Sequence, residues 1–191
     1  MDFEEILKIL ENMITKKRLI HSLGVVESAK KLARIYNTDI KKAEIAALLH
    51  DCGKCLKKEE VLHYVKKYDI LLDEIEKKEL ELAHGKVGAY LAKNIFKIED
   101  DEIFSAITYH TTGKKNMTKL DKIIYLADFI EPNRNYSGVE ELRNIAYNDN
   151  LDKALLMSFD NTIKYVVSIK KIIHPRTIEA RNFLLEQLNK L

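Results

Sequence analysis

With 191 residues, 46% hydrophobic and 32% charged, the chain is long enough to bury a core without disulfides and has a globular make-up. Lys plus Arg at 32 against Asp plus Glu at 30 leaves a net charge of +2, too even for a basic nucleic-acid stripe. No apolar run approaches the roughly 20 residues of a membrane span, the acidic amphipathic start is no signal peptide, and two cysteines in one short segment make no disulfide framework, so a cytoplasmic location is expected.

Only 6 Gly and 2 Pro are present, which favours long helices over a sandwich or barrel. Phe3, Ile6, Leu7 and Leu10 mark a first amphipathic helix. A second runs from about Lys17 to Tyr36, with Leu19, Leu23, Val26, Ala29, Leu32 and Ala33 on one side. Asn37 and Thr38 break it, and Thr38 or Asp39 caps the next. That third helix, Ile40 to about Asp51, is apolar on nearly all sides, the pattern of a central buried element. Gly53 stands at its expected stop. Further helices are expected at about 58–68, 75–97, 100–111, 118–130, 138–147, 150–172 and 175–190. Asp100 and Asp101 open one of these, and Thr118 caps another. Leu151, Leu155, Phe159, Ile163 and Val166 form a stripe on the 150–172 helix. The mixed-sign runs Lys57–Glu60 and Glu74–Glu79 read as solvated helix faces. Nothing alternates long enough to force a strand, and no repeat or linker is visible. The expectation is a single all-α domain, a helical bundle.

The histidines carry the chemistry. There are six: His21, His50, His63, His84, His110 and His174. A lone helical histidine is most often a packed, hydrogen-bonded one. His50 and Asp51 differ, because they are adjacent at the end of the most apolar helix. Adjacent helical residues point about 100° apart, so both reach one metal only near a helix end. Imidazole with carboxylate suits Fe, Mn, Zn or Co. Asp51 there, and Asp128 ending the apolar run from Ile123, are costly unless paired, hydrogen-bonded or bound to metal.

The order His21, His50–Asp51, His84, His110, Asp128 resembles the HD-domain metal-dependent phosphohydrolases, and the subset that can hold two metals. The segments Ala127–Arg134 (ADFIEPNR), Gly138–Arg143 (GVEELR) and Ile173–Asn182 (IHPRTIEARN) resemble the YqeK family, hydrolases that cut diadenosine tetraphosphate symmetrically to two ADP. The resemblance covers about residues 5–185. It implies an HD core at about 17–133, with C-terminal helices at about 138–190 completing the substrate pocket. It implies His21, His50, Asp51 and Asp128 as ligands of a divalent metal, iron, with one or two ions and Mn as the other candidate. His84 and His110 fall at second-metal or phosphate-facing positions and join Asp51 as catalytic candidates. The metals would lower the pKa of water and polarise phosphate oxygens. Rival readings are another HD-type nucleotidase or phosphodiesterase, or a non-catalytic nucleotide sensor.

Cations near these residues are candidates for phosphate binding. Lys54 follows the His-Asp pair by three residues. Arg18 precedes His21 by three and shares its helix side. Arg134 follows Pro132. His174, Arg176 and Thr177 flank Pro175 in a turn opening the last helix, where free N–H groups form an anion site. Cys52 and Cys55 form a CxxC, but no βαβ setting or further cysteine supports redox or zinc use. His63 matches no motif. The expected partner is a small nucleotide, with no membrane and no nucleic acid. A homodimer through an apolar helix face is also open.

Overall fold

The computed structural model describes residues 1–190. Its helices are α1 Phe3–Leu10, α2 Lys16–Ile35, α3 Ile40–Leu49, α4 Lys58–Lys67, α5 Glu74–Lys78, α6 His84–Asn94, α7 Asp101–Tyr109, α8 Lys119–Ile130, α9 Val139–Asn148, α10 Leu151–Ser168 and α11 Pro175–Leu188, with a 3-10 turn at Leu80–Ala83. Among the described residues there is no strand, as the all-α expectation requires. No helix is long and apolar enough to cross a membrane.

Side-chain caps set most helix starts. Asp2 and Glu5 form a capping box on α1, Asp39 accepts from the backbone of Lys41 and Lys42, and Asp100 does the same for α7. Thr118 and Asp121 cap α8 reciprocally. His174 caps α11 with Pro175 at its first position. Each such cap satisfies backbone donors that the helix cannot, worth about 1 kcal/mol.

Helix α3 is central, with Ala43, Ala46, Ala47, Leu48 and Leu49 all fully buried and α2, α7 and α8 packed on it. A second, smaller core joins Tyr125 of α8, Leu155 and Phe159 of α10, and Ala180 and Leu184 of α11. The α10 stripe leaves this core after Phe159: Ile163 is half-buried and Val166 faces a cavity instead.

Three expectations need correction. The single helix at 75–97 is broken into α5, a 3-10 turn and α6. Asp73 and Glu76 close a capping box that starts a one-turn helix, and Glu79 ends it with ψ at 74°. Helix α10 stops at Ser168, four residues short, and Lys170 beyond it has φ +55°. Gly53 is not a left-handed helix stop, because α3 already ends at Leu49. Its hydrogen serves close packing: a Cβ there would lie 2.7 Å from the His84 carbonyl and 3.1 Å from the Gly88 nitrogen. That contact holds the His50–Asp51 turn against the start of α6.

Candidate metal centre

Six residues from five places in the chain converge at the helix ends. His21 comes from the middle of α2, and His50 and Asp51 from the end of α3. His84 opens α6, His110 caps α7, and Asp128 lies in the last turn of α8. The four imidazoles and Asp51 are buried.

Asp51 lies at the middle and faces both ways. Its Oδ2 is 3.4 Å from His50 Nε2 and 3.8 Å from His21 Nε2. Its Oδ1 is 3.2 Å from His84 Nε2 and 3.4 Å from His110 Nε2. Asp128 Oδ1 completes the first half at 3.0 Å from His21 Nε2 and 4.0 Å from His50 Nε2. His21, His50 and Asp51 form one set able to hold an ion, and Asp51, His84 and His110 form another.

The outer nitrogens fix the tautomers. His50 Nδ1 donates to the Ala47 carbonyl at 2.7 Å, His110 Nδ1 to Ile107 at 2.8 Å, and His84 Nδ1 to Glu81. His21 Nδ1 donates to the Glu131 carboxylate at 3.2 Å. A carbonyl oxygen only accepts, so these Nδ1 atoms carry hydrogen and the Nε2 lone pairs turn inward. Outward-anchored imidazoles with inward lone pairs are the arrangement that metal ligands show.

That arrangement is unfavourable without a cation. His21 Nε2 and His50 Nε2 are buried and make no hydrogen bond, and Asp128 Oδ1, 3.0 Å from His21 Nε2, is itself an acceptor. His84 Nε2 and His110 Nε2 lie 3.0 Å apart, lone pair against lone pair. Burial alone would raise Asp51, yet the imidazoles of His50, His110 and His84 around it hold it well below the carboxylate range. Burial works the same way on Asp128, where His21, His50 and Arg134 keep it low. Burial pushes His84 down to about 4, against the pull of Asp51. Burial likewise works to lower His50, but Asp51 and Asp128 raise it on balance. Ionised acids and inward-facing imidazole nitrogens around one point fit divalent metal ions.

Two guanidiniums border the centre. Arg18 Nη1 is 2.6 Å from Asp51 Oδ2, and Arg134 Nη2 is 2.6 Å from Asp128 Oδ1. Both are part-exposed and line the adjoining cavity of about 600 Å³. Lys54 Nζ lies 3.5 Å from His84 and reaches the same cavity. Phe129, Tyr136, Asn161, Thr162, Tyr165 and Val166 also line it. The histidine–aspartate cluster, cations and aromatic side chains thus share one opening.

The structure does not bring His174, Arg176 and Thr177 to that cavity. His174 Nε2 and Arg176 Nη2 each lie 3.0 Å from Asp73 Oδ2, and Arg176 Nη1 is 3.5 Å from Glu76 Oε1. Thr177 is buried on α11. These residues tie α11 to the start of α5. His63 is exposed on α4 beside Tyr64. Cys52 is buried, its thiol donating to the Gly88 carbonyl, and burial raises its pKa above the ordinary thiol range. A thiol so held is inert.

Three residues here were not foreseen from the sequence. The Thr111 hydroxyl is 3.2 Å from His84 Nε2 and 3.1 Å from His110 Nε2. Glu131 anchors His21 and is itself held by Asn133, whose backbone N and Nδ2 donate to Oε2 at 2.7 and 3.0 Å. A Cβ on Gly24 would lie 2.5 Å from that same Oε2, so a larger residue on α2 would displace the carboxylate from this position. Arg143 donates to the carbonyls of Ile130, Glu131 and Arg134, clamping the loop that carries Glu131 and Arg134.

Comparison with known proteins agrees with this geometry. Residues 18–133 match the family model described as HD domain. The chain is 40% identical over 188 residues to a protein of Bacillus subtilis named bis(5'-nucleosyl)-tetraphosphatase, symmetrical, covering 97% of this chain and 98% of that one. A Staphylococcus aureus protein of the same name is 35% identical, with 96% and 94% covered. A crystal structure from Clostridium acetobutylicum, described as a predicted HD superfamily hydrolase involved in NAD metabolism, superposes with a TM-score of 0.93 at 46% identity over 98% of both chains. The matched segment contains all six converging residues, and the chain belongs to the HD domain family and, within it, to the YqeK-type group.

Proposed function

We propose that the chain hydrolyses diadenosine tetraphosphate symmetrically to two ADP, with divalent metal ions, iron or manganese, held by His21, His50, Asp51 and Asp128 on one side and by Asp51, His84 and His110 on the other. The observation that carries this is the double-faced Asp51 beside an aromatic-walled cavity of nucleotide size. The names of relatives that match along nearly the whole chain supply the substrate class.

Bound metals would supply Lewis acidity and a water of lowered pKa. The chain's own residues do the rest. Asp51 is held below the ordinary carboxylate range, so it holds negative charge between the two ligand sets and orients the attacking water. Arg18 and Arg134, part-exposed at the rim, neutralise phosphate oxygens as charge gathers on them. Phe129, Tyr136 and Tyr165 offer ring faces to a base. The water oxygen bonds to one central phosphorus, the bond from that phosphorus to the bridging oxygen breaks, and the departing diphosphate takes the electron pair. The water's protons pass to solvent and products, leaving two nucleoside diphosphates.

Product analysis tests the reading. Purified protein loaded with iron or manganese should convert diadenosine tetraphosphate to ADP alone, and a chelator should stop it. Release of ATP with AMP, or undiminished turnover after chelation, would overturn it.

A further inference from the structure

A second cavity of about 530 Å³ is also bordered by His84. Lys54 and His84 line both cavities, so the two adjoin at the edge of the histidine–aspartate cluster. Their chemistries differ. The first cavity has rings, an amide and hydroxyls, the fittings of a nucleoside site. The second is framed by the ammonium groups of Lys54, Lys58, Lys77 and Lys78 over an apolar floor of Leu56, Val61 and Leu80.

The charge around the second cavity is not internally neutralised. Glu79 and Glu81 also border it and offset part of the charge of its four lysines, and Glu79 lies 3.8 Å from Lys171. Lys77 pairs with Glu74 at 2.7 Å. Among the described residues, Lys54, Lys58 and Lys78 have no carboxylate within ion-pair distance. Clustered ammonium groups repel one another, and an anion in the groove relieves that repulsion. The broken segment that replaced the expected long helix builds this wall, because α5 carries Lys77 and Lys78 and the 3-10 turn carries Leu80.

We propose that this basic groove is the subsite for the second nucleoside diphosphate half of a dinucleotide, with Lys54, Lys58, Lys77 and Lys78 binding the phosphates beyond the bond that is cut. The inference rests on the dinucleotide reading above. It gives a physical basis for a symmetrical cut. One nucleoside is held in the aromatic cavity, the other half lies in the groove, and the middle of the phosphate chain is over the metal centre. Lysine suits this side because its point charges tolerate a polyphosphate in several poses.

The test uses the full-length, metal-loaded protein and the double variant Lys77→Gln/Lys78→Gln, whose side chains are exposed and whose loss leaves the core intact. The probes are a methylene-bridged, non-hydrolysable diadenosine tetraphosphate and AMP, which carries one nucleoside and one phosphate. Weaker binding of the dinucleotide by about fivefold, with AMP affinity unchanged, supports the groove. Unchanged dinucleotide affinity overturns it. Loss of AMP affinity by the same factor also overturns it, because the lysines would then act through a general field and not as a subsite. Failure of the wild-type protein to cleave diadenosine tetraphosphate would count against the proposed function and is read separately from these affinities.

Discussion

Two clusters in this molecule each join histidine to acidic side chains, and they are built for opposite ends. The central one brings together His21, His50, His84 and His110 with Asp51 and Asp128. The other, at the start of α5, has His174 with Asp73 and Glu76, and its ligand atoms are also close enough to surround an ion. In the second cluster every charge already has a partner. His174 Nδ1 accepts from the Arg176 backbone and its Nε2 meets Asp73. Glu76 is neutralised by Lys86 at 2.6 Å and by Arg176. In the central cluster the imidazole lone pairs face inward and two of them make no hydrogen bond. Residue type and distance do not make a metal site. Unsatisfied donors held in place by satisfied ones do.

Substitutions at each cluster should therefore fail in different ways. The largest effect is expected at the shared carboxylate. Asp51→Asn removes the charge common to both ligand sets and should lower kcat by about a thousandfold or more, with the helical circular dichroism spectrum retained. Activity within tenfold of wild type would remove Asp51 from the centre.

Glu131→Ala frees the outer nitrogen of His21. It should weaken metal binding by about 10–100-fold, measured by competition with a chelator, while the unloaded protein keeps its fold. Metal affinity unchanged by this variant would break the link between Glu131 and the site.

At the other cluster the loss should be one of stability. Asp73→Ala deletes the cap of α5 and the acceptor shared by His174 and Arg176. The expected cost is about 2 kcal/mol by denaturant unfolding, with discounts for the part-exposed ion pairs. Metal affinity should not move. A metal-binding defect as large as that of Glu131→Ala would erase the distinction between the clusters.

The same carboxylate gives a smaller, pH-dependent signature. Burial alone would raise Asp73, but the Glu76 backbone N–H, His174 and Arg176 hold it below its ordinary value. A depressed acid stabilises the fold above its unfolded pKa and loses that contribution as pH falls through its folded pKa. Wild-type Tm should therefore fall more steeply than that of Asp73→Asn below about pH 4. Parallel curves would deny the pair its role. His63→Ala, on the exposed face of α4, should change stability by no more than about 0.5 kcal/mol and metal content not at all.

The convergence of these histidines and acids was legible in the sequence because they are chemically distinctive and several end apolar helices, where an unpaired acid is costly. Most helix boundaries were legible for a similar reason, since Asp100, Thr118 and the His174–Pro175 pair announce themselves as caps. The break at Glu79 was not read, although Asp73 and Glu76 already spell a capping box. The mixed-sign run that follows also fits a solvated face of one long helix, and composition does not separate the two. Glu131, Arg143 and Thr111 were missed because nothing local marks them. Glu131 meets His21 across 110 positions, and Arg143 acts on a loop whose carbonyls are exposed only once it has folded. Thr111 has one local sign, a hydroxyl directly after His110. The Arg176 segment was read as an anion site from its proline and its charge, but acids that flank it in space, from 100 and 103 positions away, occupy that charge.

The most direct test of the central claim is a calorimetric titration of metal-stripped protein with manganese, beside Asp51→Asn. The wild-type chain should take up two ions, and the variant should lose both or bind them far more weakly, because Asp51 serves both ligand sets. A wild-type chain that binds no divalent ion, or an Asp51→Asn chain that binds as wild type does, would contradict the account.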